Sequence, residues 1–172
     1  MRDYYEGERP TTAVERAVAA PPWRIWPLIT DLDVPARFSV EYQGGAWLDG
    51  ATGPAVGARF RGHNRNEMMG DWYTTCQVIE CRPPERYAWV VGDIDEPNAT
   101  WRFTLVADGG GTSLRFETVL GPGRSGLTAA IRARPDKRDA LIAWRLRDLQ
   151  GNMRAVVDGI AALAGEPSPA GP

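Results

Sequence analysis

Towards the C-terminus, Ile142, Leu146, Leu149, Met153, Val156, Ile160 and Leu163 recur at steps of three and four. That spacing puts them all on one side of an α-helix, so roughly 136–164 is predicted to form a long helix with a single apolar stripe. Arg145, Arg147, Arg154 and Asp158 fall mainly away from the stripe. Asp136, in the expected first turn, suits the positive end of the helix dipole. A helix that is apolar along one side only must lay that side against another apolar surface, and this demand limits what the rest of the chain can be.

The partner surface is visible upstream, where the period changes from about four to two. From Glu41 to Leu120 the chain reads as strands: 40–48, 58–65, 72–81, 86–94, 99–107 and 112–120, separated by turn signals such as Asp49-Gly50, Gly70-Asp71 and Pro83-Pro84. Asp108-Gly109-Gly110-Gly111 makes the last two a hairpin. In that hairpin Trp101, Phe103, Leu105, Leu114, Phe116, Thr118 and Leu120 share one side, while Arg102, Thr104, Arg115 and Glu117 share the other. A sheet with one apolar and one Arg-rich face is covered on one side only. Residues 11–19 read as a further strand with Val14, Arg16 and Val18 on one face. Pro21-Pro22 then opens a short helix over 23–32 that contains the anomalous Pro27, and a second short helix is expected at 35–39. The expected fold class is α+β: a curved antiparallel sheet of six to seven strands on a long C-terminal helix, with two short helices after the first strand.

A length of 172 residues suits one domain, expected at 11–164, between a flexible tail at 1–10 and a disordered Pro- and Gly-rich tail at 165–172. The net charge of -2, with basic and acidic residues interleaved, argues against nucleic acid as a partner. No stretch approaches the roughly 20 apolar residues of a spanning helix, so membrane insertion is not expected. No secretory leader is read at the start, and a cytoplasmic location is expected. Cys76 and Cys81 are separated by an odd number of positions. On a continuous strand they would face opposite sides, which argues against a disulfide. With His63 the only histidine, no metal site is expected. No Gly-rich stretch fits a phosphate loop, and no cofactor is expected.

The order of elements resembles the helix-grip superfamily (SRPBCC) of START, plant pollen-allergen and polyketide cyclase/dehydrase domains, with the polyketide cyclase/dehydrase-like group the nearest. The opening run Glu15-Arg16-Ala17-Val18-Ala19-Ala20-Pro21-Pro22-Trp23-Arg24-Ile25-Trp26 resembles the family's first strand, Ala-Pro step and apolar–aromatic helix, which closes at Asp31. Val56-Gly57-Ala58-Arg59-Phe60, the stretch from Trp72 through Val78-Ile79 to Pro83-Pro84-Glu85-Arg86-Tyr87, and Leu149–Met153 resemble later family segments. The resemblance spans about 11–164 and implies a cavity between sheet and helix for a hydrophobic small molecule, such as a lipid or a polyketide-like natural product. Such domains include aromatase/cyclase or dehydratase-like enzymes, natural-product sequestration (enediyne-type self-resistance) proteins and partner-binding regulators, and the fold does not choose among them. A monomer or a homodimer is expected.

Seven tryptophans are many for this length. Trp72, Trp89, Trp101, Phe103, Phe116, Tyr87, Trp144 and Met153 are therefore the candidate ligand-binding residues, since aromatic rings suit a flat apolar ligand. Arg61, His63 and Glu67 are the candidate catalytic residues, for proton transfer and enolate stabilisation. Against this, Arg59, Arg61, His63 and Arg65 alternate with Ala58, Phe60 and Gly62, the pattern of a solvated strand face. Asp93, Asp95 and Glu96 read as an acidic turn rather than a carboxylate pair. Gly121, Gly123, Gly126, Leu127 and Ile131 form a candidate lid, which the family pattern places over the pocket mouth.

Overall fold

The computed structural model describes residues 5, 7–67 and 69–165. Residues 1–4, 6 and 166–172 of the two expected tails lie outside the described residues, as does Met68. Strand β1 (Thr11–Val18) leads into helix α1 (Pro22–Thr30) and a 3-10 turn at Pro35–Arg37. Six strands follow: β2 (Tyr42–Trp47), β3 (Arg59–Asn66), β4 (Gly70–Arg82), β5 (Arg86–Gly92), β6 (Pro97–Asp108) and β7 (Gly111–Leu120). Helix α2 (Gly126–Ala133), a 3-10 turn at Pro135–Lys137 and helix α3 (Arg138–Gly165) complete the chain. The strands form one seven-stranded sheet in the order β1-β7-β6-β5-β4-β3-β2, antiparallel throughout. This is the helix-grip architecture expected from the sequence.

Alternation puts the apolar residues of the sheet on its inner face. Along β7 every second residue from Thr112 to Leu120 is buried. Opposite them, α3 buries Leu149, Met153, Val156, Val157, Ile160 and Ala164. Removing a Leu, Met or Ile side chain of this kind from water stabilises the fold by about 1.5–3 kcal/mol. Arg16, on the inner side of the edge strand β1, reaches Asp158 of α3 at 2.6 Å. In the segment expected to be a tail, Tyr5 is buried in the core and the Pro10 carbonyl accepts a hydrogen bond from Leu120 N–H at 2.8 Å. Pro27 sits inside α1 without ending it, and its side chain is exposed.

One prediction from the sequence fails for a local reason. The register of β4 against β5 shifts between Val78 and Glu80. This bulge reverses the alternation, so Cys76 and Cys81 both face inward although they are an odd number of residues apart. Both remain free thiols.

The segment between α1 and β2 is strapped to α3. Phe38 lies against Gly159, where an added Cβ would collide with its ring. Ala is ordinarily the better helix former by about 1 kcal/mol. Gly159→Ala is nonetheless expected to lower stability by about 1–3 kcal/mol by urea unfolding, because Phe38 must move. Adding Phe38→Ala should remove the clash, so that the two substitutions are less costly together than their sum.

Candidate functional site

The concave face of the sheet and α3 do not close completely. Between them lies a cavity of about 140 Å³, roughly ten times the ~10–15 Å³ that one water requires. Its floor is aromatic: Tyr87 and Trp89 from β5, Trp101 and Phe103 from β6, and Phe116 from β7. Cross-strand pairing puts these rings side by side, since Trp89 is opposite Trp101, and Phe103 is opposite both Tyr87 and Phe116. The Trp89 and Trp101 rings lie 10° from parallel with centroids 6.3 Å apart. Those of Phe103 and Phe116 are also 10° from parallel, at 4.0 Å. Leu149, Met153 and Val156 of α3 and Ile29 of α1 form the opposite wall. The result is a slot with flat, apolar sides.

One end of the cavity is polar. Gly62 and Asn64 of β3 lie beside Thr74 and Cys76 of β4, with Gly62 opposite Thr74, and Tyr42 of β2, opposite Asn64, closes the row. The Asn64 amide donates to the Thr74 hydroxyl at 3.5 Å, and that hydroxyl lies 3.8 Å from the Cys76 sulfur. Gly62 supplies space here, because a Cβ on it would stand 3.0 Å from the Thr74 hydroxyl and 3.4 Å from the Tyr42 ring. Burial pushes the Cys76 thiol up to about 12, against the smaller lowering effect of its contact with Thr74. Burial likewise raises Tyr42 and Tyr87, each reinforced by neighbouring acidic groups that include Cys76. All three side chains are therefore neutral at physiological pH.

Over this end runs the strap. Ser39, Glu41 and Asn152 belong to the cavity wall. Glu41 accepts two hydrogen bonds from the Arg145 guanidinium, both at 2.7 Å, and Asp148 accepts a third at 2.6 Å. Burial works against the Arg145 charge, but the bonds and charges of Glu41 and Asp148 outweigh it and raise its pKa. The Asn152 carbonyl oxygen accepts from Val40 N–H at 3.1 Å and from the Ser39 hydroxyl at 3.3 Å.

Six of the eight candidate ligand-binding residues come together in the wall: Tyr87, Trp89, Trp101, Phe103, Phe116 and Met153. Trp72 pairs with Asn64 on the inner face but is not part of the wall. Trp144 lies off the apolar stripe of α3 and is 44% exposed.

The candidate catalytic residues lie elsewhere. Arg61 and His63 point to the convex face, because they alternate with the inward Phe60, Gly62 and Asn64. There the His63 ring stacks on Tyr73 at 4.8 Å, and Arg61 lies over the same ring at 4.1 Å. His63 contacts Asp71 at 2.6 Å. The Arg65 hydrogen bond, followed by that from His63, holds the Asp71 carboxyl below its usual range. Glu67 is exposed in the β3–β4 turn. None of these side chains lines the cavity. Asp93 caps its own turn by accepting from Asp95 N–H at 2.9 Å.

The candidate lid residues are also absent from the cavity wall. Gly121 and Gly123 donate to the carbonyls of Asn98 and Pro97 at 2.8 and 3.1 Å. A Cβ on either would strike the backbone at Glu96–Pro97, so the lack of a side chain permits this close packing. Ser125 and Thr128 form a capping box that starts α2. Ile131 is buried in the core, with Leu127 packed against it.

Reasoning from sequence missed Tyr42, Gly62, Asn64, Thr74 and Asn152. Extending the alternation of Phe60 and Gly62 by one step would have found Asn64. Among the described residues, no cluster of His, Cys, Asp or Glu could hold a metal, and no helix is long and apolar enough to cross a membrane.

Comparison with known proteins agrees with the fold. Residues 9–165 match the family profile described as polyketide cyclase / dehydrase and lipid transport. The chain belongs to this family. The solution structure of a polyketide-cyclase-like protein from Corynebacterium glutamicum is similar at 25% identity and a TM-score of 0.65, over 91% of this chain and 93% of that one. The di-domain ARO/CYC StfQ of the steffimycin biosynthetic pathway shares the fold at 11% identity and a TM-score of 0.71. The match covers 91% of this chain but only 51% of StfQ. A protein from Thermus thermophilus, TTHA0849, shares it at 16% identity and a TM-score of 0.60, over 90% and 97% of the two chains. No curated protein matches the sequence significantly.

The buried thiol makes the fold sensitive to alkali. In the unfolded chain Cys76 ionises near its ordinary 9.0, and in the folded chain only near about 12. The folded state therefore holds more protons across that interval, and stability present below pH 9 declines as pH rises towards 12. Tyr42 and Tyr87 act in the same direction from their ordinary 10.0 upward. Urea midpoints at a series of pH values should fall above pH 9, less steeply for Cys76→Ala. A flat profile would contradict the burial of this thiol.

Proposed function

We propose that the protein binds a hydrophobic small molecule, a polyketide-like aromatic compound or a lipid, between the sheet and α3. The observation that carries this reading is the aromatic slot: two nearly parallel ring pairs facing aliphatic side chains across an open space. Its walls offer dispersion and apolar burial to a flat guest, with the polar groups confined to one end. Membership of a family described by polyketide cyclisation and lipid transport supports the same class of ligand. A regulator that works only through partner surfaces has no use for such a cavity.

A second reading, a cyclase or dehydratase, is favoured by the fold shared with the ARO/CYC proteins. It would draw on Asp31, Glu41, Tyr42, Cys76 and Tyr87, the ionisable wall residues, rather than on His63. Stoichiometric binding without turnover would instead favour carriage or sequestration.

Trp89 and Trp101 lie in the wall, so tryptophan fluorescence should report occupancy. Titration with fatty acids and aromatic polyketides, with product analysis of each hit, is expected to give saturable quenching by one class. Gly62→Leu puts a side chain into the cavity and is expected to weaken that binding at least about tenfold while the far-UV CD spectrum stays folded. Wild-type affinity in a folded Gly62→Leu variant would show that ligands bind elsewhere.

A further inference from the structure

A guest held between the sheet and α3 needs a way in, and most of the wall is costly to part. The strands of the floor are joined by backbone pairing. Ile29 of α1 and Leu149, Met153 and Val156 of α3 are buried, and uncovering them forfeits apolar burial. The strap differs. Between α1 and β2 it forms one 3-10 turn and no strand, yet it supplies five residues of the wall: Asp31, Leu32, Pro35, Ser39 and Glu41. Phe38 anchors it by packing against Gly159. Beyond Phe38 its grip on α3 is polar. The Ser39 hydroxyl and Val40 N–H both donate to the Asn152 side chain, and the Arg145 guanidinium donates to Glu41. Val40 is 81% exposed, so its side chain adds no apolar burial. Ser39, Glu41 and Asn152 are themselves wall residues, so parting this seam opens directly into the cavity. Hydrogen bonds broken here are replaced by bonds to water, whereas apolar surfaces that part have no such compensation. The seam is therefore the section of the wall that opens at the lower cost.

One contact dominates the seam. The side chains of Arg145 and Glu41 are 21% and 14% exposed, so salt screens this pair less than it screens a surface pair. Asp148, one turn along α3, accepts from the same guanidinium at 2.6 Å and aims it at Glu41. The Glu41 carbonyl accepts from Arg65 N–H of β3 at 2.8 Å, so Arg145 ties α3 to the point where the strap joins the sheet. Arg145 is not itself a wall residue. We propose that guests enter and leave the cavity through the seam between the strap and α3, and that Arg145, bonded to Glu41, is the latch that limits the rate of passage. This rests on the proposed role of the cavity in binding a hydrophobic molecule and adds how that cavity is reached.

The test measures rates as well as affinity. Stopped-flow tryptophan quenching by 2-acetylnaphthalene and by oleate gives association and dissociation rates for the wild type, Arg145→Gln, Arg145→Lys and the double variant Ser39→Cys/Asn152→Cys. Arg145→Gln should raise both rates about tenfold and change Kd by less than about twofold, because the empty and the occupied closed states lose the same contact. Arg145→Lys keeps the charge but not the two-point bond and should fall between. Oxidation of the double variant joins the strap to α3; it should slow both rates at least about tenfold, and reductant should reverse the effect. Unchanged rates in an Arg145→Gln variant that is folded by far-UV CD would overturn the latch. A weaker Kd through faster dissociation alone would overturn it too, since Arg145 would then support the bound guest rather than its passage. If Arg145→Gln does not fold, Arg145→Lys is judged by the same outcomes. Rates that ignore the disulfide would overturn the seam as the route while the cavity remains a binding site. If neither probe binds the wild type, the proposed function and the inference fall together.

Discussion

The apolar stripe of α3 against the concave face of the sheet is the contact on which everything else depends. Each surface is one-sided, so neither is stable in water without the other. Their union is tight where Leu105, Leu114 and Ile160 are buried. It is incomplete where Gly62, Thr74 and Cys76 present small side chains opposite the large rings of β5–β7. A curved sheet meeting a straight helix leaves a gap wherever side chains do not fill it, and interiors otherwise pack to the density of organic crystals. The cavity is that gap, held open by rings that support one another across three strands.

The convex face follows different physics. Arg102 reaches Glu80 at 3.5 Å and Glu117 at 3.7 Å, and Arg115 reaches Glu117 at 2.7 Å. Solvated pairs of this kind contribute about 0–1 kcal/mol each, but opposite charges facing across strands favour one register over its neighbours. Arg61, Tyr73, His63, Asp71 and Arg65 extend the same logic to the β3–β4 hairpin. Their grouping looks like an active site in a list of residue types, yet it is a layered surface cluster on the side of the sheet away from the cavity.

The fold was legible because its two periods are clean. Steps of three and four fixed α3, and alternation from Glu41 to Leu120 fixed the strands and the apolar face of the β6–β7 hairpin. Most of the aromatic floor could be read for the same reason. Of the polar end, Asn64 was within reach of the same alternation, but the rest was not. The inward turn of both Cys76 and Cys81 depends on a bulge between Val78 and Glu80 that no residue type announces. Tyr42 and Asn152 enter the cavity because the strap crosses α3, a tertiary contact without local signature. Trp72 and Trp144 show the converse error: aromatic character alone does not place a ring in a cavity when its strand position lies past the end or its helical position lies off the stripe.

Occupation of the slot between sheet and helix is most directly tested by methyl NMR during titration with 2-acetylnaphthalene or a fatty acid. Ile29, Leu149, Met153 and Val156 line the cavity, whereas Val40 and Val106 are 81% and 57% exposed and lie outside it. Saturable shifts confined to the first group are predicted. Shifts confined to the exposed valines, or none at all across the panel, would contradict a ligand held between the sheet and α3.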